Sequence, residues 1–113
     1  MDNKKDNIYY FSKVVEDINQ IKEYFHNASY EEFIADNATV DAILFRLVQI
    51  AENLKMVSDD FKSDHQEIGW NGIIGLRNRL VHDYGNTDYS IVYTIVSEDL
   101  DALSNLFEQY LRK

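Results

Sequence analysis

The sequence predicts an all-α protein, an up-and-down bundle of four main helices plus one short helix. Three observations predict it. Apolar residues recur at three- and four-residue spacing along most of the chain, the period of a helix buried on one side. Proline is absent, and the four glycines (Gly69, Gly72, Gly75 and Gly85) all fall in one short region. No segment shows the strict alternation of a half-buried strand, and no internal repeat is visible.

Residues 5 to 27 carry Ile8, Phe11, Val14, Val15, Ile18, Ile21 and Phe25 at helical spacing and form the first helix. Ser29 followed by Glu32 fits a capping box and starts the short helix with Phe33 and Ile34. Asn37 or Thr39 caps the next helix, with the stripe Val40, Ile43, Leu44, Leu47, Val48, Ala51, Leu54 and Val57. Ser58 to Glu67 is polar and reads as a loop with room for one helical turn. Gly69 to Tyr84 is helical despite its glycines, and Gly85-Asn86-Thr87 signals a turn. Asp88 caps the last helix, which carries Ile91, Val92, Ile95, Val96, Leu100, Leu103, Leu106, Phe107, Tyr110 and Leu111.

A length of 113 residues fits a single domain, 1–113, with a modest core that partner surfaces can supplement. Hydrophobic residues make up 45% and charged residues 27%, ordinary for a globular protein. Without cysteine there is no disulfide framework and no thiolate metal site, which suits a reducing cytoplasm. The polar start Met1-Asp2-Asn3-Lys4-Lys5-Asp6 is unlike a secretory signal. No apolar run reaches the roughly 20 residues of a membrane span. The net charge of -9 argues against broad nucleic-acid binding, which depends on lysine and arginine neutralising phosphates. Between Gly69 and His82, however, the only formal charges are Arg77 and Arg79. A small basic island in an acidic protein suits contact with a few phosphates.

On an ideal helix, Trp70, Ile73, Ile74, Leu80, Val81 and Tyr84 fall within about 60° of Arg77. Arg77 therefore projects from an apolar stripe, where a permanent charge needs an explanation. One explanation is snorkelling, or an ion pair with Glu52 or Asp41; the other is an interface or cleft where Arg77 receives an anion. His82 lies about 140° away, so the two side chains meet only if the helix ends or bends near His82, or if a second subunit contributes its own copy. A lone histidine near a helix end also caps the last carbonyls. Trp70 suits core or dimer packing better than stacking on a base, and Glu52 is a candidate partner for an arginine of the motif helix. His26 and His65 lack matching carboxylates and read as surface residues.

Arg77, four residues, His82, one residue, Tyr84 matches the R-x4-H-x-Y motif of the HEPN ribonucleases. The string from Gly75 to Tyr84 resembles the HepT branch of that superfamily. So do Asp41 to Glu52 in the third helix, Ile68-Gly69-Trp70 before the motif helix, and Asp88 to Tyr93 at the start of the last helix. The sequence departs from the pattern at Gly69, where a proline is usual, and at Ala51, where a glycine is usual. The turn after Tyr84 is one residue short.

The resemblance implies a HEPN-like bundle and a metal-independent endoribonuclease, the toxin of a type VII-like toxin–antitoxin pair. It implies a homodimer whose motif helices face each other, a minimal nucleotidyltransferase as antitoxin, and RNA (tRNA or mRNA) as substrate, with no cofactor. It gives Arg77 and His82 catalytic roles and makes Tyr84 the residue to which the antitoxin attaches AMP. Asn78 and Arg79 are candidate RNA contacts. Imidazole exchanges protons near neutrality, and guanidinium binds phosphate bidentately, so these residue types suit attack by a ribose 2′-hydroxyl. Two other readings remain open: a non-catalytic helical module that scaffolds the nucleotidyltransferase, and a structural bundle in which Arg77 is merely ion-paired.

Overall fold

The computed structural model describes residues 6–112, which form a helical bundle. Helix α1 (Asn7–Phe25) starts at Asp6, whose carboxylate accepts from the Tyr9 amide. Residue 5, the expected first residue of this helix, lies outside the described residues. The helix ends on two left-handed residues, His26 (φ 55°) and Asn27 (φ 54°), and the His26 N–H closes the last turn on Lys22. Ser29 and Glu32 form the expected capping box at the start of α2 (Tyr30–Ala35).

Helix α3 (Asn37–Met56) is capped by Asp36, which accepts from the Thr39 amide, rather than by Asn37 or Thr39 as expected. A Thr39 hydroxyl donating to the same carboxylate strengthens the cap and so moves the helix start upstream. The polar stretch after α3 contains a capped helix, α4 (Asp59–Asp64), started by Ser58. Asn7 and Ser58 exchange two hydrogen bonds of 3.1 and 3.0 Å, tying the starts of α1 and α4 together. The motif helix, α5 (Trp70–His82), is followed by a short 3-10 turn at Tyr84–Asn86. Asp88 caps α6 (Tyr89–Thr94) as expected, accepting from the Ser90 and Ile91 amides. A π turn, Ile95–Asp99, joins α6 to α7 (Leu100–Leu111), so the last helix is one rod with an inserted wide turn. Helical periodicity does not reveal that turn.

Helix α3 is the centre of the bundle: α1 packs on one side of it and α5 on the other, while α7 closes on α1. The short α2 bridges α3 and α6. Phe11, Ile18, Ile21, Ile43, Leu47, Ile50, Leu54, Leu100, Leu103 and Phe107 are fully buried. Phe11 stacks on Phe107 at 4.1 Å between ring centres, and Phe61, Trp70 and Tyr110 complete this aromatic end of the core. His65, expected at the surface, packs against Phe61 and bonds the Tyr110 hydroxyl through Nε2. His26 is exposed. Arg46 of α3 donates to the buried Asp17 of α1 at 2.8 Å, a paired charge that fixes the register of the two helices. Among the described residues, no helix is long and apolar enough to cross a membrane.

Candidate active site

Helix α5 holds the motif, and its packing against α3 decides which side chains remain available. Trp70, Ile73, Leu76 and Leu80 are buried and define the face turned to the core. The Trp70 indole N–H donates to the His65 carbonyl, so this ring anchors the helix start and offers no face to a base. Ile74 is half-buried, and Val81 and Tyr84 are each 49% exposed. Arg77 therefore sits at the border of the buried face, a correction to its expected place amid the stripe. The projected stripe is apolar but only partly buried, because α3 covers only one side of it.

At that border Arg77 Nε donates to Glu52 Oε2 at 2.6 Å, and its Nη1 donates to Asn78 Oδ1 at 3.2 Å. The ion pair lies within one chain, and it holds the guanidinium by one edge. Asn78 thus serves Arg77 directly. Lys55 approaches the other Glu52 oxygen at 3.8 Å, one turn along α3. Arg79 points elsewhere, towards the groove between α5 and α6, where Leu76, Leu80 and Ile91 also line the wall. Among the described residues its side chain makes no hydrogen bond or ion pair. Asp88, across this groove, is held below the usual carboxylate range first by the Ser90 hydroxyl, then by the Ile91 amide, and least by Arg79.

His82 is the last residue of α5 and is exposed, and among the described residues its ring makes no hydrogen bond or ion pair. The helix ends there because Asp83 leaves helical geometry (φ -148°, ψ 47°). Among the described residues no hydrogen bond or ion pair joins His82 to Arg77, and on an ideal helix His82 shares a side with Arg79 rather than with Arg77. Tyr84, displaced from the helix by Asp83, turns back towards α3, where its hydroxyl donates to Asp41. That bond raises the Tyr84 phenol above its ordinary ionisation range. Asp41, considered from sequence as a partner for Arg77, thus belongs to Tyr84. No helical spacing on one element could have revealed this pairing, because it crosses from the turn after α5 to α3. Tyr84 and Asp41 share a groove of about 290 Å³ with Leu44, Phe45, Val48 and Leu80. No cluster of three or more histidine, aspartate or glutamate side chains among the described residues is arranged to hold a metal ion.

Comparison with known proteins finds relatives named as ribonucleases. The "Probable ribonuclease HepT" of Thermococcus cleftensis is 34% identical to this chain, across 92% of this chain and 94% of its own length. Proteins of Methanocaldococcus jannaschii and Caldanaerobacter subterraneus subsp. tengcongensis, provisionally named as RNases, are 29% and 24% identical across 93% and 92% of this chain, and 96% and 93% of their own lengths. No solved structure gives a significant match. The family model described as ribonuclease HepT-like matches residues 14–110, which span every element from α1 to α7, and the chain therefore belongs to the ribonuclease HepT-like family.

Proposed function

We propose that this member of a ribonuclease family is a metal-independent endoribonuclease toxin of a type VII-like toxin–antitoxin pair. It works as a homodimer and is silenced when a minimal nucleotidyltransferase attaches AMP to Tyr84. The observation that carries the reading is the state of the two motif side chains. Arg77 is oriented by Glu52 and Asn78, while His82 stands exposed at the end of the same helix, its ring without a hydrogen bond or ion pair among the described residues. A structural histidine would have a partner; an acid–base group must leave its ring open to substrate.

The chemistry follows from these groups. One imidazole accepts the proton of a ribose 2′-hydroxyl as its oxygen attacks the adjacent phosphorus, and a second protonates the departing 5′-oxygen. Arg77 binds the phosphate and stabilises the charge that grows on it. Asn78 steadies Arg77, and Arg79, on the side of His82, holds a neighbouring phosphate. One chain separates Arg77 from His82, so the complete site needs two copies meeting at a two-fold axis. An exposed apolar strip supports that assembly: Phe45 of α3 is 62% exposed, and Val81 lies exposed on α5. Tyr84 stands at the rim of this strip. A bulky anionic nucleotide there would exclude RNA and compete for the arginines.

The test is incubation of purified protein with tRNA and mRNA in a chelator. The wild-type chain should cleave, while Arg77→Ala and His82→Ala should fold normally and lose both cleavage and growth inhibition. Full cleavage by either variant refutes these catalytic roles. The acidic charge of -9 favours a second reading, a non-catalytic scaffold for the nucleotidyltransferase. A wild-type chain that is harmless alone, leaves RNA intact and still binds that enzyme would establish the scaffold instead.

A further inference from the structure

Tyr84 is not simply an exposed phenol. It sits in the 3-10 turn beyond α5, and its hydroxyl already donates to a carboxylate of α3, that of Asp41. Among the described residues, Asp41 makes no ion pair and accepts no other side-chain hydrogen bond. Apart from Asp41 and Tyr84 themselves, the walls of their groove are Leu44, Phe45, Val48 and Leu80, with no cation among them. Among the described residues the carboxylate thus has no cationic partner, and it is bonded to the one atom of Tyr84 able to act as a nucleophile.

We infer that Asp41 is the proton acceptor when Tyr84 is nucleotidylated. The inference rests on the proposed modification of Tyr84 and adds the group that makes the phenol reactive. The co-reactant is a nucleoside triphosphate bound by the transferase. The Tyr84 oxygen forms a bond to the α-phosphorus, the bond from that phosphorus to the bridging β-phosphate oxygen breaks, and pyrophosphate departs. The phenol proton passes to Asp41. A phenol at neutral pH is almost wholly protonated, and Asp41 itself holds the proton on the ground-state phenol. As the oxygen–phosphorus bond forms, the phenolic hydrogen becomes strongly acidic, and a carboxylate in hydrogen-bond contact then accepts it. Tyr89 is the other titratable group that acts on Tyr84. It is itself a phenol, and so a poorer acceptor at neutral pH.

The experiment compares wild type, Asp41→Asn, Asp41→Ala and Tyr84→Phe, each incubated with a minimal nucleotidyltransferase and ATP. Intact-mass and peptide mass spectrometry measure the rate of AMP addition between pH 6 and 9. Asparagine keeps an oxygen that can accept from the Tyr84 hydroxyl, so it preserves position while removing the base. The expected result is addition to wild type at Tyr84, none at this position in Tyr84→Phe, and a loss of about 100-fold in Asp41→Asn. The ratio of the Asp41→Asn rate to the wild-type rate should climb with pH, because phenolate formed in solution replaces the missing acceptor; the ratio cancels the pH dependence of the transferase. If Asp41→Asn matches wild type at every pH, Asp41 is not the acceptor, although modification of Tyr84 stands. If wild type gains no AMP at Tyr84, the modification and the role of Asp41 are both refuted.

Discussion

Removing the Glu52 carboxylate tests the proposed role of Arg77 as a phosphate-binding group held in place by an ion pair. The pair is made by one hydrogen bond of 2.6 Å between side chains 30% (Arg77) and 41% (Glu52) exposed. Solvent reaches both groups, so screening keeps the stability contribution towards the surface-pair range, about 0.2–1 kcal/mol. Glu52→Ala should therefore cost at most about 1 kcal/mol in urea denaturation, a small part of the 5–15 kcal/mol typical of a domain. Its effect on cleavage should be larger. Arg77 keeps its charge but loses the contact on Nε, so the guanidinium samples orientations that cannot present two N–H groups to one phosphate. A drop of about tenfold in single-turnover cleavage follows, roughly 1.4 kcal/mol of transition-state stabilisation. This remains well short of the 10²–10³-fold loss typical of deleting a group that binds developing charge, which is the expectation for Arg77→Ala. Glu52→Gln retains an acceptor for Nε and should recover most of the rate. The assay is single-turnover cleavage of a labelled RNA with protein in excess. Faster cleavage by Glu52→Ala would refute the reasoning, because Glu52 would then be restraining Arg77 rather than aiming it.

Other expectations follow from the same structure. Phe45→Glu or Val81→Glu should convert the proposed dimer to monomer in analytical ultracentrifugation and abolish cleavage while leaving helix content unchanged; a dimer that persists in both places the seam elsewhere. Gly75→Ala should stabilise the chain by about 0.5–1 kcal/mol, since helical glycine is costly and a Cβ there would meet nothing within 4 Å; denaturation midpoints check it. Asp36 is held below the usual carboxylate range, first by the Thr39 hydroxyl and then by its amide. The stability it lends is present above the unfolded aspartate value and lost as pH falls through the folded one, so Asp36→Ala should destabilise the chain at pH 7 and much less at pH 3. Tyr84 is raised, chiefly by Asp41, so its stabilising contribution is present below about pH 10 and lost as pH rises through the folded value. Carbon NMR of labelled tyrosine should show it titrating later than in Asp41→Ala.

Much of the protein was legible in the sequence because helices are written locally. The stripes of α1 and α3, the Ser29–Glu32 box and the Asp88 cap are each written on one element, and the structure reproduces them except at Ile8, which is exposed, and Val48, which is half-buried. Where local signals competed the outcome depended on detail: Asp36 outranked Asn37 and Thr39 because it engages both the amide and the hydroxyl of Thr39. The π turn in the last helix leaves the apolar pattern readable on both sides, so periodicity passes over it. The motif residues were also legible, since their spacing, together with similar segments along most of the chain, resembles the family. What they touch was not. Helical projection put Arg77 and Tyr84 on one face, but it could not say that α3 would bring Glu52 to Arg77 and Asp41 to Tyr84. Those contacts join residues 25 and 43 positions apart, and only the packing of α5 on α3 fixes them. The sequence alone determined most of the helices, the family resemblance and the chemical groups of the candidate site. Tertiary structure decided which carboxylate meets which motif residue, because side-chain pairing between helices depends on their relative rotation and register, which no single helix encodes.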